Sequence, residues 1–201
     1  MISLGIDNGN TGALVAVNEK YQLIGYRDTP VVQTTKAKRG GKKSIKIEVA
    51  PTAMKAALVS LLTECQSKDC GWVAPGVKIW LEVAQAMPQQ GLSSTFKTGR
   101  GFGLWEGIVV GMDLPYDIVH AKTWTKVMLH DVPVGDPKDR SMIKAQRLFG
   151  SKLPLVKPMG RVLSLDGRAD ASLIAYYGMS QMLCVTPQFQ TTKRPVPKRV
   201  P

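Results

Sequence analysis

The sequence predicts an α/β fold: a mixed sheet of three antiparallel and two parallel strands, with helices on both faces. Three observations lead to this class. Short apolar runs separated by turn residues open the chain, two later apolar runs each follow a segment of helical periodicity, and a long helical pattern closes it. A strand reached through a helix joins its sheet in the parallel direction, because the crossover returns the chain to the same end of the sheet.

The first three strands are predicted from an N-terminal meander. Extended runs at Ile2–Asp7, Ala13–Val17 and Tyr21–Tyr26 are separated by residues that favour turns, notably Gly9 and Gly12. Connections this short join neighbouring strands in opposite directions. The meander therefore supplies the antiparallel part of the sheet.

Two helix and strand pairs complete the sheet. A helical pattern that begins at Pro51 precedes a strand over Val77–Val83, and a second helix over Leu104–Met112 precedes a strand over Tyr116–Val119. The segment from 88 to 103 is polar and rich in glycine, which predicts a loop. Further helical patterns cover residues 123–129, 139–149 and 168–183.

Two basic segments lie outside this pattern. Residues 33–46 hold six basic residues around two glycines and almost no apolar side chain, which predicts a mobile basic loop. Residues 184–201 are rich in proline, lysine and arginine, which predicts a disordered basic tail. We therefore expect one domain over residues 1–183.

The charge of the chain favours a polyanionic partner. It has 27 Lys and Arg against 15 Asp and Glu, a net charge of +12, and a pI near 9.8. The basic residues lie mostly in predicted loops and the tail rather than on an amphipathic helix, which favours nucleic acid over a membrane surface. No apolar run approaches the roughly 18 residues of a membrane span, and no secretory leader is present, so a soluble intracellular protein is expected.

The cysteines do not indicate a disulfide framework or a zinc site. Three of them, Cys65, Cys70 and Cys184, occur in a chain with no secretory signal, and only two histidines accompany them. Structural zinc sites need four clustered Cys or His ligands. We expect free thiols.

Carboxylates at the ends of predicted elements are the strongest functional signal. Asp7 leaves the first strand, Glu82 leaves the fourth, and Asp166 and Asp170 begin the last helix. The last two are four residues apart, so on a helix they share one face. Adjacent strands are about 4.8 Å apart, which would let Asp7 and Glu82 face the same crevice.

Crowded carboxylates repel one another, and a divalent cation relieves the repulsion. Ligands that are all oxygen select Mg²⁺ or Mn²⁺, and two such ions would hold the attacking and leaving oxygens of a phosphodiester. Taken singly, each acid also has a structural explanation. Asp166 is a possible N-cap, and Asp170 is favourable near a helix N-terminus.

The same residues resemble a known family. Leu4-Gly5-Ile6-Asp7 with Thr11-Gly12-Ala13, Trp80-Leu81-Glu82, Gly101-Phe102-Gly103-Leu104-Trp105 with Gly107, and Asp166-Gly167-Arg168-Ala169-Asp170-Ala171 with Leu173-Ile174-Ala175 are similar, in this order, to the RuvC family of Holliday junction resolvases. The plant chloroplast type is the nearest. The resemblance covers residues 1 to about 183. It departs from the family at Asp166, where the chloroplast type has His, and in the spacing of the last acidic pair, which is three in bacterial members.

The resemblance implies an RNase H-like fold and a metal-dependent nuclease. It carries the binding of two Mg²⁺ ions, for which Mn²⁺ can substitute, to Asp7, Glu82, Asp166 and Asp170. The implied activity is an endonuclease that resolves four-way DNA junctions by paired symmetric nicks, leaving 5′-phosphate and 3′-hydroxyl ends. A homodimer is implied too, and symmetric nicks require two active sites related by a two-fold axis. The helix over residues 103–112 is a candidate interface, through Leu104, Ile108, Val109 and Met112, although most of these side chains are expected to pack in the core.

Basic and aromatic residues near the acids are candidate DNA contacts. Lys97, Arg100, Lys122 and Lys126 are predicted to contact phosphates, with exposed solvated side chains as the alternative. Phe96 or Phe102 could stack on a base, although Phe102 is expected to pack in the core. Trp105 and Trp124 lie among apolar residues and are predicted to be core.

Two other classes of function remain open. The segment from Gly5 to Gly12 also resembles the first phosphate-binding loop of actin-like ATPases and sugar kinases, which share the RNase H-like core. Those proteins need a second phosphate-binding loop, whereas this sequence contains only a single copy of the loop. A DNA-binding module without catalysis is the other alternative, against which the complete set of acids argues.

Overall fold

The computed structural model describes residues 1–37, 43–66, 76–85, 91–155 and 165–185. The strands in these ranges are β1 (Ile2–Ile6), β2 (Ala13–Asn18), β3 (Leu23–Asp28), β4 (Val31–Ala37), β5 (Lys43–Val49), β6 (Val77–Glu82) and β7 (Tyr116–Val119). The α-helices are α1 (Pro51–Cys65), α2 (Leu92–Val110), α3 (Ala121–Met128), α4 (Pro137–Phe149) and α5 (Asp166–Met182).

Five of the strands form one mixed sheet in the order β3-β2-β1-β6-β7. The pairs β1–β2 and β2–β3 are antiparallel, whereas β1–β6 and β6–β7 are parallel. This confirms the predicted mixed sheet of three antiparallel and two parallel strands. β6 and β7 join the sheet in the parallel direction because α1 and α2 carry the chain back before each of them.

Helices cover both faces of the sheet, as predicted. On one face, α1 and α2 bury Met54, Leu58 and Trp105 against the strands. On the other face α5 lies along β1 and β2, with α3 and α4 packed against it. Successive side chains of β1 alternate between the two layers. Leu4 therefore belongs to the α1 side, while Ser3 donates a hydrogen bond to the Ala175 carbonyl of α5 at 2.7 Å.

Glycine lets α5 approach β1 closely. A Cβ atom at Gly5 would lie 2.2 Å from the Ala171 carbonyl oxygen and 2.5 Å from the Ala175 amide nitrogen. Both contacts are with backbone atoms, which cannot move aside as a flexible side chain could. Gly5 thus sets the distance between the central strand and the helix that carries two of the acids.

The predicted basic loop over 33–46 is wrong for the residues described. Most of it belongs to a two-stranded hairpin in which β4 pairs with β5 in the antiparallel direction. Alternation accounts for this structure, since Ile45, Ile47 and Val49 occupy every second position of β5 and β-branched residues favour strands. Val49 is buried at the base of the hairpin, whereas the side chain of Ile45 is 68% exposed. Residues 38–42 lie outside the described part.

The predicted loop over 88–103 is wrong from residue 92 onward. Helix α2 begins at Leu92, so Phe96, Lys97 and Arg100 lie on a helix rather than on a loop. Helices α3, α4 and α5 begin within two residues of the predicted starts. Phe102 packs against the core, and Trp105 is completely buried, as predicted.

The remaining sequence predictions concern the tail, the thiols and the membrane. Of the basic tail, 186–201 lies outside the described residues, as does Cys70. Cys65 is a buried free thiol and Cys184 an exposed one. Among the helices that the structure describes, none combines the length and apolar character needed to cross a bilayer.

Candidate active site at the carboxyl ends of β1 and β6

Asp7 begins the turn that follows β1. Its amide donates to the Ala13 carbonyl at 3.0 Å, which closes the turn between β1 and β2. Its Oδ1 atom accepts a hydrogen bond from the Gly9 amide at 3.0 Å. The carboxylate is therefore held by the backbone of its own loop and partly shielded from solvent.

Glu82 ends β6, the parallel neighbour of β1. The register pairs Ile6 with Leu81, so Asp7 and Glu82 leave adjacent strands at the same level. The Trp124 Nε1 atom donates to Glu82 Oε1 at 2.8 Å. Asn8 is buried and donates its side-chain amide to the Glu82 carbonyl at 2.7 Å. These contacts join the ends of both strands to α3.

Asp166 and Asp170 lie in the first two turns of α5. The turn between them packs on the Asp7 loop, because Gly12 and Gly167 form a β-bridge. A Cβ atom at Gly167 would lie 2.1 Å from the Thr11 carbonyl oxygen. Glycine at this position lets the start of α5 reach the loop that carries Asp7.

The four acids come close enough to influence one another. Burial raises the pKa of Glu82 to about 8, with a further contribution from the charge of Asp7. Burial also raises the pKa of Asp170 to about 7, against a hydrogen bond from Ser141, and that of Asp7 to about 6, against the Gly9 hydrogen bond. The charge of Asp166 contributes to raising both aspartate values. Ionising the whole cluster therefore costs free energy unless a cation joins it.

Lys138 is a site residue that the sequence reasoning missed. Its Nζ atom lies 2.7 Å from Asp166 Oδ2, and its charge lowers the pKa values of Asp7 and Asp170. It belongs to α4, whose N-cap Asp136 accepts a hydrogen bond from the Lys138 amide at 2.9 Å. Ser141 lies one turn further along the same helix. The motif Asp136-Pro137 predicts the start of a helix, but the sequence does not indicate that this helix packs beside Asp166.

The cluster offers the oxygen ligands that a divalent cation prefers, but its carboxylates do not converge on one point. Its ligands are all oxygens, and Asp170 Oδ1 is buried with no hydrogen-bond partner in the described part of the chain. Within the same residues, no three His, Cys, Asp or Glu side chains converge as a ready set of metal ligands. Mutual repulsion keeps the carboxylates apart, and the ion pair with Lys138 holds Asp166 away from the other three acids.

Lys97 and Arg100 lie on α2 beside the Asp7 loop. Lys97 lines a polar cleft of about 310 Å³ together with Asn8, Gly9 and Asn10. Arg100 and Phe96 line a smaller cavity against Asn10 and the base of the hairpin. The structure therefore places both cations beside the loop that follows Asp7 and near Glu48 of the hairpin, although Arg100 is on a helix and not on the predicted loop.

Lys122 and Lys126 lie on α3 and are both exposed. They are four residues apart and share a face, which is turned roughly opposite to Trp124 and hence away from Glu82. In the described residues neither lysine pairs with any of the four acids. Trp124 is buried as predicted, but it also holds Glu82, a role that its apolar neighbours did not reveal.

Comparison with known proteins finds likeness in structure only. No family model and no curated protein matches the chain. It is similar to T. thermophilus RuvC in complex with a Holliday junction substrate, with 11% identity and a TM-score of 0.48 over 91% of this chain and 96% of that one. A Thermus thermophilus RuvC structure gives 14% identity and a TM-score of 0.48 over 92% of this chain and 98% of that one.

Proposed function

We propose that this protein is a metal-dependent endonuclease that cuts four-way DNA junctions. The observation that carries the proposal is the meeting of Asp7, Glu82, Asp166 and Asp170, from two strands and a helix, in a basic protein with an RNase H-like sheet. A fold needs no such cluster for stability, because buried like charges are unfavourable. Its position at the carboxyl ends of parallel strands is where open α/β sheets hold their ligands.

Asp7, Glu82, Asp166 and Asp170 would hold the metal. Divalent ions bound there would supply Lewis acidity to the scissile phosphate and lower the pKa of a bound water. The protein supplies the oxygens, with Trp124 and Gly9 orienting two of the carboxylates by hydrogen bonds. Mg²⁺ suits such a set, and Mn²⁺ can replace it.

The cleft lined by Asn8, Asn10 and Lys97 is the proposed path of the DNA strand into the site. Its volume of about 310 Å³ and its polar lining suit a phosphodiester backbone rather than an apolar ligand. Lys97 and Arg100 would contact phosphates beside the cut. Lys122 and Lys126, on α3, would contact a more distant part of the junction.

A second copy of the chain is the proposed partner, because two strands of a junction must be cut. The surface for it is a groove of about 310 Å³ between α1 and α2, lined by Lys55, Leu104, Ile108 and Met112. A Cβ atom at Gly107 would meet nothing within 4 Å, so another helix could approach closely. Val109, which was predicted from the sequence to be part of this interface, is completely buried in the core and cannot contact a second chain.

A cleavage assay tests the proposal. Wild-type protein with Mg²⁺ should cut a labelled four-way junction at symmetric points, and Asp7→Asn and Glu82→Gln should each lower the rate by at least about 1000-fold. Both variants should retain junction binding, because shape is kept and only metal charge is lost. Sedimentation of the same samples measures whether two chains bind one junction.

The alternative functions give different results in this assay. ATP hydrolysis without DNA cleavage would indicate an actin-like or kinase-like domain. Junction binding without cleavage in Mg²⁺ or Mn²⁺ would indicate a binding module. Near-normal cleavage by either variant would refute the assignment of the carboxylates.

A further inference from the structure

Arg168 lies between the two acids of α5 and reaches back to β3. Its Nε atom lies 2.5 Å from Asp28 Oδ1 and its Nη2 atom 2.7 Å from Asp28 Oδ2, a bidentate contact. Its Nη1 atom donates to the Pro154 carbonyl at 2.8 Å, and the guanidinium stacks on Tyr26 at 4.5 Å from the ring centroid. The Arg168 side chain is 13% exposed, so most of its surface is buried by these contacts.

The first turn of α5 has no side-chain cap, and its other contacts within the described chain are the Lys138 ion pair and the β-bridge at Gly167. Its N-cap residue, Leu165, makes no side-chain hydrogen bond to the helix. Asp170 Oδ1 is buried and has no hydrogen-bond partner among the described residues. A helix start that bears two acids beside Asp7 and Glu82 needs an anchor on its opposite side.

Arg168 provides that anchor on the correct side of the helix. It is two residues from each acid, a rotation of about 200° in either direction, so it points away from both while they share a face. Asp28 in turn pairs with Ala13 of β2, and the next residue, Thr29, donates its amide to the Gly12 carbonyl at 2.8 Å. The Arg168 contact therefore ties α5 to the turn that carries Asp7.

We infer that Arg168 and Asp28 form a positioning pair that holds Asp166 and Asp170 towards Asp7 and Glu82 before a cation binds. The inference rests on the proposed function, since it assigns the pair a role in metal affinity. Arginine suits the role because its planar fork fixes both direction and distance, which a lysine ammonium cannot do. The pair touches no substrate atom and acts only through the two acids.

Mn²⁺ binding to the DNA-free protein tests the inference. Arg168→Lys keeps the charge but loses the fork, and Asp28→Asn keeps the shape but loses the charge. Each should weaken Mn²⁺ binding about tenfold in calorimetry, the effect expected for a residue that orients metal ligands. In Mg²⁺ titrations of junction cleavage, half-saturation should shift by a similar factor while the rate at saturating Mg²⁺ stays near that of wild type.

The adjacent residue on β3 offers a matched control. Arg27 pairs with Glu64 of α1 at 2.9 Å, a similar ion pair on the same strand that does not reach α5. Arg27→Met should leave Mn²⁺ affinity unchanged. Thermal unfolding of all variants without metal separates a loss of stability from a loss of metal binding.

The outcomes distinguish this inference from the proposed function. Wild-type Mn²⁺ affinity in both Arg168→Lys and Asp28→Asn would overturn the positioning role, whatever their melting temperatures, while leaving the nuclease intact. An equal loss of affinity in Arg27→Met would also overturn it, because the effect would then be general. A wild-type protein that binds no Mn²⁺ and cuts no DNA would overturn the proposed function and the positioning role with it.

Discussion

Two groups of buried charge in this protein are built on opposite principles. Lys144 of α4 and Asp131, in the segment between α3 and α4, pair at 2.7 Å and 2.8 Å, with side chains only 2% and 7% exposed. Burial lowers the pKa of Lys144, and the hydrogen bond and charge of Asp131 counteract that shift. Opposite charges compensate each other here, as in a structural ion pair.

The carboxylate cluster is compensated only in part. Burial raises the pKa values of Glu82, Asp170 and Asp7, and in the described residues the nearest cation is Lys138, paired with Asp166. This fold neutralises a buried charge within one helix and its preceding loop. At the sheet end four carboxylates face one lysine of the described chain, so acidic groups outnumber cations there, as the proposed cation site requires.

Breaking the compensated pair should have the largest effect on stability. Lys144→Met leaves Asp131 buried without its partner, so we expect a loss of about 3 to 5 kcal/mol in the free energy of unfolding. Urea denaturation measures it. The double variant Lys144→Met with Asp131→Leu should recover much of the loss, because both charges are then absent. A loss below about 1 kcal/mol in the single variant would contradict the conclusion that Lys144 compensates the buried charge of Asp131.

Asp7 and Glu82 could be singled out in the sequence because each lies at the end of an apolar run that forms a buried strand. Asp166 and Asp170 were singled out by their spacing of four residues at the start of a helix. The partners that hold them were not predictable in the same way. Trp124 looks like a core residue in the sequence, and Lys138 reaches Asp166 only because α4 packs on α5.

The two wrong predictions of loops have a common physical origin. In both segments a high content of charged residues or glycine masks a periodicity that favours regular structure. In β5, Ile45, Ile47 and Val49 alternate with polar residues, which is the signal of a strand. In the first half of α2 the glycines lower helix propensity, but tertiary packing on the sheet and the Asp7 loop decides the structure.

Raising the pH without metal should destabilise the protein through the carboxylate cluster. Folded Glu82, Asp170 and Asp7 have pKa values of about 8, 7 and 6, above the ordinary values of 4.5 for Glu and 3.8 for Asp. Raised values mean that the folded state keeps protons that the unfolded state has already released. Stability should therefore fall as the pH rises from about 4 to about 8.

Thermal unfolding in chelator and in Mg²⁺ measures this slope. Mg²⁺ at pH 8 should restore the melting temperature, since it binds the ionised carboxylates. Glu82→Gln should raise the stability of the metal-free protein at pH 8 and reduce the response to Mg²⁺. Glu64→Gln on α1 serves as the control and should respond to Mg²⁺ as wild type does. Stability that rises with pH over this range would show that the cluster is not crowded as described.

The smallest expected effect concerns Lys138, the one cation that touches the cluster within the described chain. Its side chain is 71% exposed and that of Asp166 is 13% exposed, so the ion pair contributes about 1 kcal/mol or less. Because Lys138 competes with a metal ion for Asp166, Lys138→Met should tighten Mn²⁺ binding to the DNA-free protein by about threefold to fivefold. Cleavage at saturating Mg²⁺ should fall, since a lysine displaced by metal is free to contact the scissile phosphate. Lys152→Met, an exposed lysine in the turn after α4, should change neither quantity. Weaker Mn²⁺ binding in Lys138→Met would mean that the lysine supports the site in its present arrangement and does not compete with the metal.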